Sequence, residues 1–339
     1  MSNILLAKPQ LSSDWIDTSV GEAHIIKDNL LNIFNILPYH LSEVNKMWEY
    51  HEPQGYKKLI QLLEIKYKSP VIITNGAKNA LGACFYALQQ MGKKTVGMRN
   101  PYWALIPPLL HMHGLSWSSV FPETDAHLLL APNNPDGWTP DNKTLQTMAE
   151  WSKEENIPFI HDAVYYNHIY LPQTYPLKQI GDVQIYSASK SLGLSGLRLG
   201  WVVCPNVEFY KLILQYMEHM TVGVSIVSQV FLYDLLNRMH GYPTLTEKFE
   251  LASAAAINNS KKIVKQIDPE ILEVPADIED IPGMFLWAKV GPKADFQKAK
   301  VNVIDGELFG MPGFIRMNLA SDEKTMLDIV QRLNSIKET

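Results

Sequence analysis

The run Ser187-Ala188-Ser189-Lys190-Ser191-Leu192-Gly193-Leu194-Ser195-Gly196-Leu197-Arg198-Leu199-Gly200-Trp201 decides how the rest of the chain is read. Lys190 directly follows a strand-like stretch, Val183-Gln184-Ile185-Tyr186, and Arg198 arrives eight positions later among small residues and glycines. A lysine at the end of a buried strand has little reason to be there unless its amine does chemistry. Desolvation or a neighbouring cation makes such an amine a nucleophile, and its usual partner is a carbonyl carbon. An arginine in an apolar, glycine-rich run wants an anion rather than a surface salt bridge.

Working outward, the chain alternates strands and helices. Val71 to Thr74, Thr95 to Met98, Ser116 to Phe121, Ala126 to Ala131, Pro158 to His161, Val183 to Tyr186 and Leu199 to Cys204 read as strands. Lys57 to Tyr67, Ala77 to Met91, Leu105 to His113 and Thr144 to Glu155 read as helices. This alternation predicts an α/β fold with a mostly parallel sheet covered by helices on both faces. Beyond it, Val207 to about Met239 reads as one or two long helices and Thr244 to Ile267 as another. Met284 to Lys289 and Gly313 to Leu319 read as strands, and Glu323 to Ile336 as a closing helix, the pattern of a smaller α+β domain. The expected division is an N-terminal segment over 1–45 that joins the small domain, a large domain over 46–235 and a small domain over 236–339.

Composition narrows the function. The 339 residues are 46% hydrophobic and 19% charged, with a formal net charge of -5, as in an ordinary globular enzyme. No basic stripe invites nucleic acid or anionic lipid. Cys84 and Cys204 sit far apart in apolar settings and read as core residues. With no signal-peptide-like run in Met1 to Trp15 and no stretch long enough to span a bilayer, the expectation is a cytoplasmic protein.

In open parallel sheets ligands bind at the carboxyl ends of the strands, and several polar residues fall there. Gly76-Ala77-Lys78 opens a helix, either as a plain βα turn or as an anion site built from backbone amides. After the next strand come Tyr102 and Trp103, either of which could stack on a flat heteroaromatic ring. Asn133-Asn134-Pro135-Asp136-Gly137 is a turn by composition, and one of its amides could also donate to a phenolate oxygen. Asp162 ends an apolar strand, where a carboxylate needs a cation such as a pyridinium; a helix N-cap is the alternative. Tyr165 follows three residues on. His161 and His168 lack a third ligand at metal-site spacing, so no metal is expected. Arg316, alone in the strand Gly313 to Leu319, needs a substrate carboxylate or an internal acid. A lysine for an aldehyde, an acid for a pyridinium and an arginine for a phosphate together suit pyridoxal 5'-phosphate (PLP).

The order and spacing of these motifs resemble those of the fold type I PLP enzymes, the class I/II aminotransferase superfamily, across nearly the whole chain. The resemblance runs through Val20-Gly21-Glu22, Tyr50 with Pro53 and Gly55, Gly76-Ala77-Lys78, Pro101-Tyr102-Trp103, Asn134 to Gly137, Asp162 with Tyr165, Ser187 with Lys190 and Arg198, and Arg316. It implies a PLP-transferase fold whose large domain holds a mostly parallel seven-stranded sheet. It makes Lys190 the Schiff-base lysine and proton carrier, and pairs Asp162 with the ring nitrogen. Asn134 and Tyr165 go to the phenolate oxygen and Trp103 to the ring face. Gly76, Ala77, Lys78, Ser187, Ser189 and Arg198 take the phosphate, and Arg316 takes the substrate carboxylate beside the Gly21 backbone. Tyr50 reaches the cofactor phosphate of a second subunit, which implies a homodimer with shared sites.

Two motifs look closest to the alliinase and plant tryptophan aminotransferase group: Asn133 to Gly137, and His161-Asp162-Ala163-Val164-Tyr165-Tyr166. Val222-Gly223-Val224-Ser225 with Gln229 has a similar look. The chain departs from that group in lacking the alliinases' cysteine-rich module, and in Leu194-Ser195-Gly196-Leu197-Arg198, where the group has His-Ala-Gly-Ser-Arg. The resemblance implies a ping-pong aminotransferase acting on an L-amino acid and a 2-oxo acid. Aromatic residues at Tyr39, Trp48, Tyr102 and Tyr166 hint at an apolar or aromatic substrate side chain. A β-eliminating lyase on the same scaffold is the alternative, and a PLP-binding regulatory protein a more distant one.

Overall fold

A computed structural model describes residues 12–19, 21–34, 50–171 and 180–336. Val20, Tyr39 and Trp48 lie outside the described residues, as does much of the segment 1–45.

The first half of the chain builds one sheet. After a short strand β1 (Ile16–Asp17) and the helices α1 (His24–Phe34) and α2 (Lys57–Tyr67), β2 (Val71–Thr74) leads into α3 (Gly76–Gln90). The strands β3 (Thr95–Gly97), β4 (Ser116–Ser118), β5 (Ala126–Leu130) and β6 (Phe159–Asp162) follow, with α4 (Ile106–Met112) and α5 (Asn142–Glu154) between them. Then β7 (Val183–Ser187), the single turn α6 (Ala188–Ser191) and β8 (Gly200–Val203) complete a seven-stranded sheet. Its order is β2-β8-β7-β6-β5-β3-β4. Every residue of β2, β5, β6 and β8 is buried, as expected for apolar strands covered on both faces.

All these pairings are parallel except those of β8, which runs antiparallel to both β2 and β7. Sterics explain the exception. A parallel crossover usually carries a full helix, and the twelve residues 188–199 are about the shortest that could make one. Between Ser187 and Gly200 the chain holds only α6 and the 3-10 turn Ser195–Leu197, so it doubles back.

The sequence misjudged some boundaries. The strand expected over Ser116 to Phe121 ends at Ser118, because Pro122 lies in a 3-10 turn over Phe121–Glu123 and the Ser118 hydroxyl takes the Val120 amide at 3.0 Å. Helix α5 starts earlier than Thr144 because Asp141 caps it through the Thr144 amide. The helical stretch after Val207 divides into α7 (Val207–Thr221) and α8 (Ile226–Gly241). The break falls at Val222 and Gly223, both at positive φ.

The remainder is α9 (Pro243–Val264), β9 (Leu272–Glu273), β10 (Phe285–Val290), α10 (Phe296–Ala299), β11 (Val301–Asn302), β12 (Ile304–Asp305), β13 (Phe314–Asn318) and α11 (Glu323–Ser335). A four-stranded antiparallel sheet, β12-β13-β10-β9, packs with α11 and the end of α9 around Leu286, Met317, Ile329 and Leu333. The pairs β1–β11 and α1–α9 tie the first described residues to this part of the molecule. The short strands β1, β9, β11 and β12 and the helix α10 left no readable period in the sequence. Among the described residues no helix is long and apolar enough to cross a membrane, and no group of three or more His, Cys, Asp or Glu side chains could hold a metal.

Candidate active site

The carboxyl ends of the parallel strands open onto a pocket of about 740 Å³ roofed by β12, β13 and the turn after β12. Ala77, Lys78, Trp103, Asn134, Asp162, Tyr165, Ser187, Ser189, Lys190, Arg198, Arg316 and Gly21 all line it. Residues spread from position 21 to 316 therefore converge, as the sequence predicts. Tyr50 does not line it and stands 92% exposed.

The phosphate end is built first by β2 and α3. Gly76 takes φ +76° at the helix start, and its N-cap residue Asn75 makes no side-chain cap, so the amides of Ala77 and Lys78 remain for an anion. Arg198 reaches the same place: a Cβ added at Gly76 would lie 2.7 Å from its Nη2. Arg198 itself takes φ +53° and is braced by Nη1 donating to the Ser195 carbonyl at 2.9 Å. Ser187 and Ser189 close the rim, with the Ser189 amide on Ser187 Oγ at 3.2 Å.

Asp162 ends β6 on the pocket side, 3% exposed. Among the described residues its carboxylate accepts one hydrogen bond, a long one of 3.3 Å from the Val164 amide. Burial lifts its carboxyl to about 7 against that bond and the Lys190 charge, so this acid is short of a cationic partner. The Lys190 amine is depressed to about 8, first by burial and then by Arg316, with a smaller contribution from Arg198. It donates to the Gly21 carbonyl and lies 5.9 Å from the centre of the Tyr165 ring. Burial pushes the Tyr165 phenol well up, so it stays a neutral donor.

Arg316 is 4% exposed. Nη1 donates to Asn134 Oδ1 at 3.0 Å and Nη2 to the Ser19 carbonyl at 2.6 Å. Among the described residues Nε has no partner and no acid pairs with the guanidinium, which lies over Phe285 at 4.3 Å and Phe309 at 5.2 Å. Burial holds it down to about 10, still a cation at neutral pH.

The structure also resolves several open choices. Trp103 lines the pocket, whereas Tyr102 packs edge-on against Trp117 at 4.8 Å. Asn134 lines it, whereas Asn133 spends its amide on the Pro101 carbonyl and Asp136. Tyr166 turns away onto His161 and Asn142, so neither Tyr102 nor Tyr166 supplies the aromatic lining the sequence suggested. That lining comes instead from Phe285 and Phe309, with Leu105, Val303, Ile304 and Leu308. Phe285 and Phe309 flank Arg316 by sheet register and turn geometry, which no local sequence signal announces.

The donor set fits PLP. It provides an amine for the aldehyde, a buried carboxylate with no ion pair among the described residues for the pyridinium nitrogen, and an uncapped helix start with a guanidinium for the phosphate. Residues 123–333 match the family described as aminotransferase class I and II. The chain belongs to that family.

Its members depend on PLP, and this aminotransferase shares the dependence. It is 25% identical over 318 residues to a probable aspartate/prephenate aminotransferase of Aquifex aeolicus, covering 83% of this chain and 79% of that one. It is 27% identical over 250 residues to tryptophan aminotransferase-related protein 2 of Arabidopsis thaliana, covering 65% of this chain and 54% of the other. These relatives lie in more than one branch, so they do not single out the alliinase group within the family. Among solved structures, aspartate aminotransferase of Thermotoga maritima superposes with a TM-score of 0.74 at 20% identity, covering 96% of this chain and 92% of that one. Aromatic aminotransferase of Pyrococcus horikoshii does so with a TM-score of 0.76 at 16% identity, covering 96% of both. Both likenesses establish that this aminotransferase has the fold type I architecture.

Proposed function

We propose that this PLP-dependent aminotransferase exchanges the amino group of an L-amino acid with an apolar or aromatic side chain for the oxygen of a 2-oxo acid, in two half-reactions. When bound, PLP supplies an aldehyde carbon that carries the amino group and a ring that withdraws electrons from the substrate's α-carbon. The observation that carries the reading is the buried Lys190 amine, held at about 8 within one pocket with Asp162 and Arg316. At that value about one amine in ten is unprotonated at pH 7, against a few in ten thousand for an ordinary lysine.

Lys190 Nζ would hold PLP at its aldehyde carbon and, as a free amine, would carry the substrate's α-proton. Asp162 holds the ring nitrogen in its protonated form. Asn134 and Tyr165 donate to the phenolate oxygen, and Trp103 covers the ring. Gly76, Ala77, Lys78, Ser187, Ser189 and Arg198 hold the phosphate. Arg316 binds the substrate carboxylate beside the Gly21 backbone, and the side chains of Phe285 and Phe309 keep water from the ion pair. The substrate side chain lies against Leu105, Val303, Ile304 and Leu308, which supports the apolar or aromatic preference. Tyr50 extends toward a second subunit's cofactor in a homodimer, the chain divides at about 45 and 235, and the enzyme works in the cytoplasm.

The test is to load the protein with PLP and add single amino acids, then 2-oxo acids. Loss and return of the visible absorbance, with 2-oxo acid and amino acid formed in turn, is the expected result. Lys190→Ala protein that keeps the visible band and full turnover would sink it. The lyase reading is not favoured by relatives named as aminotransferases; release of pyruvate without an amino acceptor would revive it.

A further inference from the structure

His161 is fully buried on the face of β6 opposite Asp162, where it touches neither the pocket nor a metal-ligand group. Its Nε2 lies 3.2 Å from the Ala131 carbonyl oxygen and its Nδ1 3.5 Å from the Gln184 amide nitrogen. A carbonyl can only accept, so Nε2 carries the proton and Nδ1 is the acceptor. Gln184 is oriented to match, because its Oε1 takes the Tyr186 hydroxyl at 3.0 Å. Burial drops the imidazole to about 4, so the ring is neutral at any working pH.

The backbone of Ala131 is thus held at both its amide and its carbonyl. Its amide donates to the Asp162 carbonyl at 3.3 Å and its carbonyl receives His161. Ala131 and Asn133 are the fixed points that lead into Asn134: Asn133 donates from its side chain to the Pro101 carbonyl and Asp136 and from its backbone amide to the Trp138 carbonyl, and Asn134 is the residue on which Arg316 rests.

We infer that His161 is a positioning residue for the reaction: from the back of the sheet it clamps the Ala131 carbonyl, and through the run 131–134 it fixes where Asn134 meets Arg316. The inference rests on the reading of Arg316 as the carboxylate site. A buried carbonyl that loses its donor relaxes toward a new one, and the Asn134 amide moves with it. The direction of the effect follows: carboxylate recognition suffers first and phosphate binding, at the far end of the pocket, least.

Two variants and one unsubstituted measurement test it. His161→Phe keeps a ring against Tyr166 and removes the donor; His161→Gln keeps an N–H near the position of Nε2. For His161→Phe, the dissociation constant of 3-phenylpropanoate, an unreactive carboxylate, is expected to rise on the order of tenfold, and kcat/KM for the best amino acid to fall at least as much. PLP affinity changes less than about threefold, and His161→Gln restores most of the loss. Unchanged 3-phenylpropanoate binding in His161→Phe, or His161→Gln as impaired as His161→Phe, overturns the clamp. In 15N-histidine-labelled unsubstituted protein the His161 ring shows the Nε2–H tautomer across pH 5 to 9; the Nδ1–H tautomer overturns it whether or not the variants fold. Unsubstituted enzyme that binds PLP but no monocarboxylate overturns the reading of Arg316 instead, and leaves the tautomer to decide the clamp.

Discussion

Arg316 and Asn134 stand 182 residues apart in the chain and meet through one hydrogen bond, Nη1 to Oδ1 at 3.0 Å. The bond joins β13 of the antiparallel sheet to the loop after β5 of the parallel one. It also orients the asparagine. With Oδ1 committed to the guanidinium, the amide nitrogen is the group left to face the pocket. The proposed carboxylate site and the proposed phenolate donor therefore set each other's geometry.

Arg316→Lys follows from this relationship. A lysine keeps the charge and loses the planar fork that serves Asn134 and Ser19 together. KM for the amino acid is expected to rise about a hundredfold, with a smaller fall in kcat, while PLP binding is retained. Steady-state kinetics beside a PLP titration check it; an unchanged KM would remove Arg316 from the substrate site.

The cofactor-free protein has a pH signature. Burial raises Asp162 to about 7 in the folded state, so between about pH 4 and 7 the folded chain binds more protons than the unfolded one, and stability falls as pH rises. Lys190 is lowered to about 8, so between about pH 8 and 10 the unfolded chain binds more protons, and stability rises with pH. These two groups together place a minimum near pH 7 to 8. His161, lowered to about 4, acts in the opposite sense between about pH 4 and 6.5. Thermal melts should therefore show Asp162→Asn making Tm rise more steeply with pH on the acid side and raising Tm at pH 8. PLP-loaded protein should shift the acid side in the same direction, since a pyridinium keeps Asp162 ionised. A slope unaltered by Asp162→Asn would refute the assignment.

Gly76→Ala tests the phosphate end. The new methyl would sit 2.7 Å from Arg198 Nη2, at a φ of +76° that disfavours alanine. PLP affinity is expected to fall about tenfold or more, with about 1 kcal/mol or more of stability lost. Gly196→Ala, in the same loop as Arg198 but with nothing within 4 Å of the added methyl, should bind PLP as the unsubstituted protein does. Equal affinities in the two variants would contradict the role given to Gly76.

Much of this was legible in the chain because polar residues at the ends of apolar strands stand out against their surroundings. Asp162 and Arg316 each interrupt an apolar run, Lys190 comes soon after one, and all three line the pocket. Composition alone did not choose between neighbours; the motif resemblance did, for Asn134, Trp103 and Tyr165. Each lies beside a residue of similar type in a loop outside the strands, where hydrogen bonds and ring contacts decide which of the two faces the pocket. The apolar lining was hidden for another reason. Phe309 and Leu308 reach the pocket from a turn whose position depends on β12 pairing with β13, a contact between strands too short to leave a periodic signal.

The reversal between β7 and β8 has one more consequence. Because the chain returns at once, Lys190 and Arg198 are carried by the same brief connection, pinned at one end by the Ala188 amide on the Leu199 carbonyl. The span from amine to guanidinium is therefore a fixed caliper, set by local backbone rather than by the docking of distant parts. A molecule is gauged on it by the separation of its reactive carbon from its anionic tail, and one residue inserted between Lys190 and Arg198 would reset the gauge without touching either jaw.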